Sequence, residues 1–167
     1  MRPVIRFLQH LSVLPMAVAS VALFALMGLT FADVLMRSIF NAPIEAATEL
    51  IRIGIALIVF AAMPVLSARG GHISVDLLDG PFRMLRLERV RDASVALACA
   101  AMLWWPAGRV VDLANRARSY GDVTEYLAIP TFYVGWFIAI MTYLTAAALV
   151  GRGLLHIIAP DALRAKA

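Results

Sequence analysis

From Leu11 to Ala32 the chain runs 22 residues without a charged side chain, and from Tyr126 to Gly151 it does so again. At about 1.5 Å per residue, the first run alone can cross a hydrocarbon core about 30 Å thick as a helix. Two further uncharged runs, Ile53–Ala68 and Ala93–Gly108, stop at 16 residues, short of the roughly 17–25 that a span needs. Each reaches that length only by taking in charged neighbours, Glu49 and Arg52 before the second and Arg109 after the third. The pattern predicts an all-α membrane protein with four transmembrane helices, at about 11–35, 46–68, 91–111 and 127–150, in one domain over 1–167.

Composition strengthens this reading. The chain is 62% hydrophobic and 16% charged, whereas soluble domains carry about 25% charged residues. A net charge of +4 without a basic stripe interleaved with aromatics gives no reason to expect nucleic acid. The excess arginine serves better as an orientation signal. Ten of the basic residues fall in the N-terminal segment, in the loop between spans two and three, and in the C-terminal tail. The positive-inside rule therefore places both termini and the 67–92 loop in the cytoplasm. Arg2 and Arg6 precede an apolar run too long for the roughly 7–15 residue core of a signal peptide, so the first span is expected to be retained. Cys99, the one cysteine, sits in the apolar run ALACAAML and reads as a small hydrophobe.

The outer ends of the spans carry paired charges. Asp33 and Arg37 are four residues apart, and Glu49 and Arg52 three, so each pair shares a helix face and can neutralise itself. Arg109, Asp112 and Arg116 repeat the pattern after span three. Because span two needs Glu49 and Arg52 to reach its length, that pair is expected to seek protein neighbours rather than lipid. Gly28 with Ala32, and Ala96 with Ala100, offer small-residue faces for close helix packing. Trp104, Trp105 and Trp136 are expected near span ends. No ionisable residue occupies the middle of any predicted span, and His10, His72 and His156 lie at or beyond helix ends. This argues against a self-sufficient proton-coupled exporter and against a haem-carrying membrane anchor of an oxidoreductase.

One polar stretch stands apart, SARGGHISVDLLDG at 67–80. Gly70 and Gly71 allow a helix to stop and the chain to turn. His72 and Asp76 are four residues apart, within reach on one helical face. One histidine and one or two aspartates are too few for a metal centre, so a contact that fixes a membrane-surface turn is the better reading. Beyond Gly80-Pro81, Arg83, Arg86 and Arg89 recur every three residues, which predicts a short cytoplasmic surface helix against anionic headgroups.

Taken in order, DVLMRSIFNAPIEAATEL, RGGHISVDLL and YLAIPTFYVGW resemble the small integral membrane subunit, the Q or DctQ type, of tripartite ATP-independent periplasmic (TRAP) transporters. The most specific run is His72, Ile73, Val75 and Asp76 after Gly71; Asp33, Val34 and Arg37, and Ile129 with Pro130, add to it. The resemblance implies a large many-span partner that carries the substrate and sodium sites. It also implies an extracytoplasmic binding protein that delivers an organic acid. This chain would then be a static, non-enzymatic scaffold in the bacterial inner membrane, bounded by lipid and holding no cofactor itself. The same role in tripartite tricarboxylate transporters is the nearest rival, against which the His72–Asp76 run argues.

Overall fold

The computed structural model describes residues 2–70 and 88–158. They form four helices, α1 Arg2–Ile39, α2 Ala47–Arg69, α3 Glu88–Tyr120 and α4 Thr131–Ile158. Each contains a stretch long and apolar enough to cross a membrane: Ala19–Ile39, Ala47–Ala68, Val90–Tyr120 and Thr131–Leu155.

Several boundaries differ from expectation. Helix α1 begins at Arg2, and α3 continues through Asp112, Arg116 and Arg118 to Tyr120 rather than ending near 111. The charges do not stop α3 because the Arg, Ala and Leu of this stretch are good helix formers. Its terminator is Gly121, with φ +70°. The Gly121 N–H donates to the Arg118 carbonyl at 3.3 Å and the Asp122 N–H to the Ala117 carbonyl at 2.9 Å, the two bonds of a Schellman motif. Trp104 and Trp105 consequently lie halfway along α3 rather than near an end, while Trp136 stays in the second turn of α4. The expected surface helix falls mainly in 71–87, outside the described residues. Arg89 and Arg91, assigned to that loop, belong to α3.

The helices contribute to two compact units, Met1–Ala62 with Arg109–Ala139, and Met63–Gly108 with Ile140–Ala167. In the first, Ala47, Ala114 and Ala139 are buried. A Cβ added to Gly135 would lie 2.8 Å from the Ala114 Cβ, and one on Gly54 2.8 Å from the Leu26 side chain. Helices α3 and α4 therefore touch nearly backbone to backbone in this unit. In the second, Ala93, Ala96, Ala100, Ala107 and Ala146 are buried. Gly153 lies against Leu97 and the Ala93 carbonyl, and Trp104 meets Tyr143 edge to face at 5.2 Å.

Among the described residues the largest fully buried side chains are Thr145 and Ser67, while Phe24, Phe31, Met102 and Trp105 are more than 60% exposed. Small residues inside and large apolar ones outside is the arrangement of helices packed in lipid, where close van der Waals contact rather than water exclusion drives association. The Thr145 hydroxyl is satisfied by the Met141 carbonyl of its own helix, at 2.7 Å. Of the two small-residue pairs, Ala96 and Ala100 are buried, whereas a Cβ on Gly28 would meet nothing within 4 Å.

Candidate functional site

Two carboxylates near the ends of α1 and α2 organise the connections of the first unit. Asp33, in the last two turns of α1, is buried. One oxygen accepts the Ile44 backbone N–H at 2.8 Å and the other accepts from the Arg37 guanidinium at 3.1 Å. The first bond ties the 40–46 connection to α1 just before α2 begins. That connection is tight: the Phe40 and Ala42 N–H groups both donate to the Met36 carbonyl, and Asn41 holds φ +52°. The expected Asp33–Arg37 pair forms, and it orients an aspartate whose second oxygen does the anchoring.

Glu49 takes a different partner from the one expected. Its two oxygens accept the N–H groups of Tyr126, at 2.7 Å, and Leu127, at 3.1 Å. Among the described residues no ion pair joins Glu49 to Arg52. Two consecutive backbone donors suit a planar carboxylate and leave it little reason to turn toward a cation on its own helix. Arg52, one turn on, is exposed.

The segment that Glu49 grips, 121–130, is strongly self-bonded. Val123 and Pro130 form an antiparallel bridge. The Thr124 N–H donates to the Ile129 carbonyl at 2.9 Å, and the Ile129 N–H returns to the Thr124 hydroxyl at 3.0 Å. Both the Thr131 N–H and its hydroxyl reach the Asp122 carbonyl, at 3.0 and 3.2 Å. Ile129 and Pro130 thus close a ring that launches α4, and Ala128 inside it holds φ +51°. Side chains exposed here include Asp122, Val123, Glu125, Tyr126 and Leu127, with Tyr120 just before them. Nearby, the Arg118 guanidinium sits 5.9 Å from the Phe132 ring centroid, and Arg109 lies 3.7 Å from Asp112.

At the other end of α2, in the second unit, Arg152 donates to the Ser67 carbonyl at 3.4 Å. Gly70 holds φ +68°, and a Cβ there would overlap the Arg152 guanidinium. The cation rests on the C-terminal carbonyl end of α2, where it is favoured by the helix dipole. Gly71, His72, Ile73, Val75 and Asp76, the next residues along, lie outside the described residues.

Two of these features have no counterpart in the sequence reading: the partners of Glu49 and the place of Arg152. Backbone donors leave no mark in side-chain spacing, and an arginine 85 positions from its acceptor gives no local signal.

Asp33, Glu49 and Arg152 serve structural bonds. Among the described residues no three of His, Cys, Asp and Glu converge. A shallow apolar groove of about 220 Å³ is lined by residues such as Leu97, Ala100, Trp104, Ala146 and Val150. Its lining carries no charged side chain. Asp33, Glu49 and Arg152 hold connections and a helix end instead.

Compared with known protein families, the chain matches a model described as tripartite ATP-independent periplasmic transporters, DctQ component, over residues 26–157. No curated protein and no solved structure matches it.

Proposed function

Because the chain belongs to the DctQ family, the small membrane component of TRAP transporters, we propose that it is the static scaffold of a binding-protein-dependent uptake system for organic acids. Such a system unites a large many-span transport subunit and a substrate-binding protein with this chain. In the proposed arrangement the large subunit binds substrate and the coupling sodium, and this chain holds neither. Both termini face the cytoplasm of a bacterial cell, and the 40–46 and 121–130 connections face outward, where the binding protein approaches.

The observation that carries the scaffold reading is the use made of Asp33 and Glu49. A transport site needs ionisable groups free to bind, release or pair with a moving ion. Here both carboxylates accept backbone N–H groups across chain connections, which fixes geometry. The Glu49 bonds and the Val123–Pro130 bridge hold Val123 and Tyr126 exposed on a fixed loop, and an exposed tyrosine on a preorganised loop suits protein docking. Arg52, turned outward on α2, is the member of the Glu49–Arg52 pair left to meet the large subunit.

Reconstitution tests this. Proteoliposomes holding the large subunit, this chain and the binding protein should take up an organic acid down a sodium gradient. Omitting this chain should abolish uptake, and this chain alone should transport nothing. Transport by the isolated chain would overturn the reading, and a haem absorbance in the purified chain would move it to an oxidoreductase anchor.

A further inference from the structure

In the first unit, α3 from Arg109 onward lies alongside the start of α4. Ala114 touches Gly135 and Arg118 covers Phe132, so the two segments run antiparallel and level with each other. The α4 segment at this level, TFYVGWFIA from Thr131 to Ala139, has no charge and opens a membrane-spanning stretch. The α3 segment has four charges. Three of them, Arg109, Asp112 and Arg116, recur with Tyr120 at spacings of three, four and four. At about 100° per residue this stripe lies on the side of α3 opposite buried Ala114.

The stripe is open. The side chains of Arg109 and Asp112 are 60% and 59% exposed, Tyr120 is 79% exposed and Arg116 is exposed. Arg109 and Asp112 hold each other only at 3.7 Å, and among the described residues no hydrogen bond or ion pair engages the Arg116 guanidinium. Charges at the level of an apolar span are costly against lipid tails. A phospholipid phosphate could answer the arginines, but it would repel the carboxylate between them. The alternation of plus, minus and plus calls for a surface of reversed signs, which another polypeptide can supply. The stripe faces sideways along α3 rather than off the end of the helix, so that polypeptide is best a membrane-embedded one.

We propose that Arg109, Asp112, Arg116 and Tyr120 form a seam with the large transport subunit, which sets a carboxylate against Arg116 and closes over the Arg109–Asp112 pair. The inference rests on the scaffold reading, in which that subunit is the lateral partner. The test places the photo-crosslinker p-benzoylphenylalanine at position 113 or 120 of the complete transporter in native membranes, leaving the three charges intact. Crosslinks to the large subunit are expected from both positions. In parallel, Arg116→Glu should lower the large subunit recovered per copy of this chain on the order of tenfold, and Arg116→Lys should largely keep it. The chain's own melting temperature should stay unchanged in both variants. Crosslinks to lipid or to the binding protein alone, with the large subunit still co-purifying, would overturn the seam and leave the scaffold reading intact. Failure of the unmodified chain to bring down any large subunit would overturn both.

Discussion

Glu49 shows how much a single residue's role depends on groups that carry no sequence signature. Spacing places a cation within its reach, and the fold supplies two backbone donors instead, 77 and 78 positions away. Asp33 is a half-legible case. Its pairing with Arg37 is readable from a four-residue spacing, but its bond to the Ile44 N–H depends on how the 40–46 connection turns. Glu49→Ala should therefore loosen the 121–130 segment without melting the helices. Hydrogen exchange at the Tyr126 and Leu127 amides should speed up on the order of tenfold or more, with Glu49→Gln in between, because it keeps an acceptor oxygen. Unchanged exchange at both amides would count against the clamp. Gly121 gives a purely conformational test, because a Cβ there meets nothing within 4 Å. Gly121→Ala should still cost about 1–2 kcal/mol, the penalty of a left-handed backbone for a residue with a side chain, read as a lower melting temperature in detergent.

At the scale of elements, the four helices are readable because a charge-free run of near-span length is seldom anything but a membrane helix. Their ends are not. Spacing suggests that α3 stops where charges begin, yet an amphipathic continuation from Arg109 to Tyr120 is held by Ala114 packing on Gly135. Small residues alone do not say which faces pack. Gly28 and Gly135 are both capable of close approach, and only Gly135 is used within this chain. The contrast makes a paired prediction. Gly135→Leu should lower stability by about 1–3 kcal/mol through overpacking against Ala114. Gly28→Ala should leave stability the same or raise it by up to about 1 kcal/mol, because alanine is the better helix former. Equal losses at the two sites would contradict the α3–α4 contact.

At the scale of the whole molecule, three of the described charged groups hold the chain's own shape while others stay open at its surface. Asp33 and Glu49 anchor connections, Arg152 caps a helix, and the large apolar side chains point outward. A chain built this way holds its shape and offers its surfaces to others, as a subunit does. Of the residues that carry the resemblance, Asp33, Arg37, Ile129 and Pro130 lie where helices end or begin. The substrate is not legible, since the scaffold reading assigns the groups that choose it to other chains. The most direct test of the scaffold account is the native mass of the complex purified in mild detergent from its own membranes through a tag on this chain. The account predicts a stoichiometric assembly with one large many-span subunit and no self-association of this chain. A homo-oligomer of this chain, with no second membrane protein in it, would contradict it.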